Sequence, residues 1–345
     1  MTTENSRPVV VLTHRVHDEL LDLLGRECDV VSNQTEESLS AKELRRRAAD
    51  ADALMAFMPD RIDAAFLDGC PRLRIVAGAL KGYDNIDVGA CTARGVWLTR
   101  VEDALTEPTA ELALGLLVGL ARNIGPGDRR LRDGLSGWRP ALYGRTLIGS
   151  TIGIVGAGAV GRAVARLLVG FSARVVYSDP NPVPAADAEL LGLEQVPLEE
   201  LLRTSDAVVV CAPLLPETTH LLDRVALASM PAGAMLVNVG RGSVVHEEAV
   251  AEQLRSGRLG GYAADVFEFE DLSRAHRPDG PHPELVDCTD RTLLTPHLGS
   301  AVADSRLAIE ERAARSILQA LAGCVPDGSV NDPHGLTVSG GSPAI

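Results

Sequence analysis

Three residues set far apart in the chain have the right types to do chemistry together. Arg241 lies in NVGRGSVV, Glu270, 29 residues later, in DVFEFEDLSRAHRP, and His297, 27 after that, in TPHLGS. A guanidinium is a permanent planar cation that binds and orients an anion. A carboxylate near an imidazole favours its charged form, and a histidine so placed can take or give a proton near neutral pH. Each of the three follows an apolar, strand-like run, and strand carboxyl ends carry the ligand crevice of open α/β sheets. Singly, each has a bland explanation: a helix-start charge, a solvated acid, a capping or core histidine. The middle stretch raises its own question, because Glu268 and Glu270 compete for one role and Arg274, His276 and Arg277 follow them. The basic run reads as structural surface rather than as a loop over the site.

A second signal is the glycine loop Gly156-Ala157-Gly158-Ala159-Val160-Gly161, between the strand-like TIGIV and the helical RAVARLL. The first glycine permits the tight turn, Gly158 lets a pyrophosphate approach the backbone, and Gly161 allows helix and strand to pack closely. The helix N-terminus then offers N–H donors and partial positive charge to phosphates. Asp179 ends the next strand, 18 residues past Gly161. It is placed to accept the ribose hydroxyls and to repel a 2′-phosphate. Arg174 precedes the acid, and Pro180 and Asn181 bring no cation, so the expected cofactor is NAD.

The elements that must position these residues follow from apolar patterning. VVVL (9–12), CDVV (28–31), ALMAFM (53–58), LRIVAGAL (73–80) and VWLT (96–99) read as strands. HDELLDLLG and AKELRRRAADA read as helices between them. A helix is expected over 107–123, ended by Gly125, Pro126 and Gly127. TIGIVGAG, RVVYSD, DAVVVCAP, AMLVNVG, YAADVF and TLLTPH give six further strands, and a helix over 302–322 closes the fold. The prediction is an α/β protein of two doubly wound parallel-sheet lobes with a cleft between them. Residues 1–105 form a flavodoxin-like substrate domain to which 297–330 return, and 106–296 a Rossmann cofactor domain. Residues 331–345 read as a tail.

Bulk properties bound the function. The 345 residues are 46% hydrophobic and 23% charged, a globular balance. Lys and Arg number 33 against 47 Asp and Glu, a formal charge of -14. That argues against nucleic acid or an anionic membrane as the partner. The six cysteines form no CxxC pair, which suits reduced thiols in the cytoplasm rather than disulfides or a zinc cage. No apolar run approaches the roughly 18 residues of a membrane span. No His/Cys/Asp cluster has metal-ligand spacing.

Together, the GAGAVG loop, RGSVV, AADVFE and TPHLGS resemble the D-isomer-specific 2-hydroxyacid dehydrogenase family over nearly the whole chain. The resemblance implies that Glu270, not Glu268, is the functional acid beside Arg241 and His297. It implies cofactor contacts from Pro213, Val239, Asp265, Gly299 and Ser300 as well as from the glycine loop, and a homodimer. THRVHDE, MAFMPDR, LKGYDNIDV, ACTARGVWLT and GWRPALYG are similar to the branch of that family that oxidises phosphite, the phosphonate dehydrogenases. This implies a small anionic substrate, with Lys81, the Gly82 backbone, Met58 and Arg306 beside it and Trp138 and Tyr143 lining or covering it. His297 would then be the base that activates water. NVGRGS is the common form of the wider family, so reduction of glyoxylate, hydroxypyruvate or another short 2-oxo acid is the alternative. A non-catalytic NAD-sensing corepressor is a third reading, disfavoured by the acidic balance.

Overall fold

The computed structural model describes residues 7–135, 137 and 142–336. They divide into two compact units, one up to Leu105 with Val302 onward, the other Thr106–Ala301. In the first, β1 (Val9–Leu12), α1 (Asp18–Gly25), β2 (Asp29–Ser32), α2 (Ala41–Ala48) and β3 (Ala53–Ala56) are followed by α3 (Ala64–Asp68), β4 (Ile75–Gly78), α4 (Val88–Ala93) and β5 (Trp97–Thr99). The strands are all parallel in the order β2-β1-β3-β4-β5, the flavodoxin arrangement. β3 and β4 are buried at every position, as central strands covered on both faces must be. Alternate side chains serve opposite cores. Val10, Leu12, Met55 and Ala77 pack with Ile309 and Ile317 of the closing helix, whereas Val11, Leu54, Val76 and Leu98 pack with Phe66 and Ile86.

The chain rejoins this unit at Val302, later than the 297 read from sequence. The delay has a cause: the N–H groups of Leu298 and Gly299 donate to Asp265 in the second unit. Position 331, assigned to the tail, is anchored. The Asn331 side chain accepts from Leu98 N at 2.8 Å and donates to Val96 O at 2.9 Å.

The second unit runs α5 (Thr106–Ala121), α6 (Ile124–Arg132), β6 (Thr151–Val155), α7 (Ala159–Leu168), β7 (Arg174–Ser178), α8 (Ala185–Leu191), β8 (Leu193–Gln195) and α9 (Leu198–Thr204). It continues with β9 (Ala207–Val210), α10 (Arg224–Ser229), β10 (Ala234–Asn238), α11 (Glu247–Arg255), β11 (Leu259–Ala264), α12 (Pro283–Asp287) and β12 (Thr292–Leu294). Seven parallel strands lie in the order β12-β11-β10-β9-β6-β7-β8, a Rossmann sheet carrying one further edge strand. The order reverses between β6 and β9, the switch point at which such sheets bind dinucleotides. The closing helix, α13 (Ala303–Leu321), belongs to the first unit.

The helix expected over 107–123 does end ahead of Gly125-Pro126-Gly127, at Ala121, but these residues then open a further helix, α6. Those residues lie in its first turn, where backbone N–H groups have no intrahelical acceptor and proline is tolerated. Among the described residues no helix is long and apolar enough to cross a membrane.

Candidate active site

The glycine loop does three separate jobs. Gly156 has φ +90, and a Cβ there would lie 2.7 Å from Ala212 N, so β6 can turn under β9 only with glycine. At Gly161 a Cβ would sit 2.1 Å from the Gly156 carbonyl oxygen, which brings α7 hard against the turn. A Cβ on Gly158, the residue before α7, would meet nothing within 4 Å. That open space faces a helix start begun by Ala159 and Val160, the form of a diphosphate cradle. Asp179 follows β7 and also shapes the loop, accepting from Ala157 N and Asn181 N, each at 2.8 Å. Pro213 follows β9, is exposed, and accepts the Thr218 hydroxyl at 2.7 Å. Val239 packs its side chain into the core. The residues present therefore fit a dinucleotide.

The three chemistry-bearing residues follow β10, β11 and β12. Arg241 is set by Asn238, whose amide donates to Arg241 O at 2.9 Å and accepts from Gly240 N at 3.1 Å. Glu270 ends a short 3-10 turn, Glu268–Glu270, and accepts from Phe267 N at 3.1 Å. Its other oxygen lies 2.6 Å from His297 Nδ1. This contact fixes the imidazole ring and leaves Nε2 for proton exchange.

His297 stands in the left-handed region at φ +55, unusual for a residue with a Cβ. Its N–H donates to Asp265 O at 2.9 Å and Thr295 O at 3.0 Å. Asp265, 2% exposed, holds the whole loop. Its carboxylate accepts from Thr295 Oγ1 at 2.6 Å, Leu298 N at 2.7 Å and Gly299 N at 2.8 Å. Burial raises the Asp265 carboxyl above its ordinary value, with the Thr295 and Leu298 bonds opposing. Assigned to the cofactor from sequence, Asp265 is in this structure the clasp of the His297 loop; Ser300 follows at the loop's end.

Glu268 is the structural acid of the pair. It is 9% exposed and accepts from Glu247 N at 2.9 Å at the start of α11. Its second oxygen meets Arg274 Nη1 at 2.9 Å and His220 Nε2 at 3.1 Å. In return Glu247 accepts from Glu268 N at 2.7 Å. Of the basic run, Arg274 turns inward, Arg277 donates to Phe269 O at 2.9 Å, and His276 is exposed.

The first unit collects its candidates at strand ends too. Met58 follows β3, and Lys81 and Gly82 follow β4. The Met58 turn is held by Asn85, whose amide donates to the carbonyls of Phe57, Met58 and Asp60 at 3.2, 3.3 and 2.7 Å. Arg306, on α13, lies over the Phe57 ring at 5.3 Å and 3.6 Å from Glu310. Burial lowers its guanidinium from the ordinary value, while Glu310 opposes the shift. Two further residues join this cluster. Asp60, 3% exposed, accepts from Phe57 N at 2.7 Å and from the Thr13 hydroxyl. His14 bonds Thr13 Oγ1 at 2.9 Å, stands 3.7 Å from Asp60, and faces Phe57 with ring centroids 5.2 Å apart. The only sequence sign of them was a polar THR directly after an apolar strand. Tyr143 is exposed, its carbonyl accepting from Asn123; Trp138 lies outside the described residues.

Comparisons with known proteins agree with this geometry. The profile described as "D-isomer specific 2-hydroxyacid dehydrogenase, NAD binding domain" matches residues 114–299. A glyoxylate reductase of Thermococcus onnurineus is 38% identical over 331 residues, 94% of this chain and 96% of that one. One from Pyrococcus furiosus is 37% identical over the same shares. The solved TT0316 protein of Thermus thermophilus superposes with a TM-score of 0.83 at 36% identity, covering 94% of this chain and all of that one. A Rossmann sheet with a fitted NAD loop, an Arg, Glu and His at strand ends, and relatives alike along nearly their whole length all point one way: the chain is an NAD-dependent oxidoreductase that belongs to the D-isomer-specific 2-hydroxyacid dehydrogenase family.

Proposed function

We propose that the substrate is a small, densely charged anion, and that the reaction is oxidation of phosphite to phosphate. What supports this reading is that the first unit carries two cations beyond Arg241: Arg306, which Glu310 partly balances at 3.6 Å, and Lys81. Arg306 is only 25% exposed and lies over Phe57, the neighbour of Met58; Lys81 follows the next strand of the same sheet. Phosphite carries up to two negative charges over three equivalent oxygens and has no carbon chain to grip. Glyoxylate carries one charge, which Arg241 alone would match. Lysine and arginine beyond Arg241 suit the higher charge and help stabilise it in the transition state.

In this reading Arg241, Lys81, Arg306 and the Gly82 N–H bind and orient the phosphite oxygens. NAD, which the Gly156–Gly161 loop and Asp179 would hold, would supply the acceptor for the hydride of the P–H bond. Oxygen from water forms the new bond to phosphorus, and His297 Nε2 takes the proton that water loses. Glu270, bonded to Nδ1, supports the imidazolium that results.

A second reading is reduction of glyoxylate or another short 2-oxo acid by NADH, with protonated His297 donating from Nε2 to the carbonyl oxygen. Its support is the relatives, which are named glyoxylate reductases and align over 94% of this chain; from outside the chain this is the stronger support. NADH absorbance separates the two. Purified protein with NAD is supplied phosphite, lactate, glycerate or glycolate, and with NADH is supplied glyoxylate or hydroxypyruvate. Turnover on phosphite alone is the expected result. Turnover on the carbon acids alone discards phosphite and keeps the family reaction.

A further inference from the structure

We propose that Arg274 is a positioning residue for this active site, locking the Arg241 loop and the Glu270 turn into one rigid piece. The inference rests on the reading that Arg241, Glu270 and His297 carry the reaction.

The two segments meet backbone to backbone. A Cβ on Gly242, next to Arg241, would lie 1.9 Å from the Phe267 carbonyl carbon. Two side-chain links close the contact. The buried Asp271 carboxylate accepts from Ser243 N at 2.6 Å. Arg274 Nη1 reaches Ser243 Oγ at 2.8 Å, Glu268 Oε2 at 2.9 Å and His220 Nε2 at 3.2 Å. His220 N in turn donates to Ser243 O at 2.7 Å. One guanidinium thus joins the segment two residues after Arg241 to the segment two residues before Glu270.

Arg274 also keeps Glu268 charged where it stands. Burial alone would raise the Glu268 carboxyl, but Glu247 N, His220 and Arg274 together hold it below its ordinary value. Without the cation, a largely buried carboxylate loses one of the three partners that keep it charged, beside Glu247 N and His220. It must protonate or swing toward water, and either change pulls on the turn that presents Glu270 to His297. This accounts for a basic residue placed just after the acidic pair.

The test uses the full-length enzyme, saturated with NAD and assayed with phosphite, then saturated with NADH and assayed with glyoxylate. Arg274→Ala is expected to lower kcat/KM about 10²-fold, the scale of a small misplacement of reacting groups. The loss should be shared between a raised KM, from a loosened Arg241, and a lowered kcat, from Glu270 and His297, with NADH affinity unchanged. Added guanidinium should restore turnover, and Arg274→Lys should recover only part of it. If Arg274→Ala fails to fold, Ser243→Ala removes one link alone and should lower kcat/KM several-fold. An alanine variant that melts earlier but keeps wild-type kcat and KM below its melting temperature overturns the proposal. Arg241→Ala and His297→Ala serve as controls. If they are inactive while Arg274→Ala is normal, only the positioning role is lost; if they retain wild-type turnover, the underlying reading falls and this inference with it.

Discussion

Each unit places a histidine and a carboxylate at the carboxyl ends of its parallel strands, and the two pairs are built for different ends. In the second unit His297 and Glu270 bond directly at 2.6 Å and both keep some contact with solvent. In the first, His14 and Asp60 stand 3.7 Å apart and Asp60 is 3% exposed. Asp60 spends its oxygen on Thr13 and the Phe57 N–H, so it fixes the Met58 turn rather than an imidazole. Burial dominates there. It raises the Asp60 carboxyl, with Thr13 opposing, and lowers the His14 imidazole, with Asp60 opposing and Arg306 adding to the fall. The same two side-chain types bond directly where they keep contact with solvent, and form a scaffold where they are desolvated.

The largest expected effect tests the first half of that contrast. His297→Ala should cost about 10²–10⁴ in kcat, the contribution of a placed acid or base, while NADH binding followed by fluorescence persists. Near-normal turnover would strip the pair of its chemical role. Next comes the cofactor end of the same sheet: Asp179→Ala should raise use of NADP relative to NAD about tenfold, equal to ~1.4 kcal/mol. An unchanged ratio of kcat/KM values would mean that another group excludes the 2′-phosphate.

Asp60→Asn probes the scaffold. One carboxylate oxygen accepts both bonds; an amide oxygen there is a weaker acceptor and brings an NH2 in place of the other oxygen, so a urea melt should show a loss of about 1–3 kcal/mol. Any kinetic change should fall on KM, because Met58 and Arg306 shift while His297 does not. A drop in kcat with an unaltered melt would erase the distinction between the pairs.

The smallest effect is the pH response of His14. Its folded-state value lies below the ordinary 6.5, so the unfolded chain takes up this proton first as the pH falls. His14 therefore contributes stability above about 6.5 that is lost as the pH drops through the lowered folded value. Replacing it with Gln should flatten that part of the curve, followed as Tm against pH. Identical slopes in parent and variant would remove burial as the dominant influence on His14.

Sequence reading reached the sheets because their strands are unbroken apolar runs such as Ala53–Ala56 and Ala207–Val210. It missed β8, Leu193–Gln195, whose half-exposed or exposed residues carry no strand pattern. It ended a helix ahead of Gly125-Pro126-Gly127 but missed α6, because composition does not say that these residues open a new one. At the site, the glycine loop was legible since each glycine answers to a steric need. The choice of Glu270 over Glu268 was not legible in spacing and came from family likeness. What separates them is a set of long-range partners, Glu247, His220 and Arg274, none of which local sequence links to an acid. Asp60 and Asp265 were obscure for the same reason: their roles are written in backbone N–H groups, which every residue but proline carries.

The left-handed backbone at His297 has a consequence for any saturation library. A residue held at φ +55 selects for glycine and asparagine on conformational grounds and against β-branched side chains. Scored by cellular abundance, position 297 should therefore rank Gly and Asn at or above His, with Val and Ile at the bottom. Scored by turnover, it should admit His alone. The gap between the two rankings at one position would measure how much folding free energy the enzyme forgoes to keep an imidazole there.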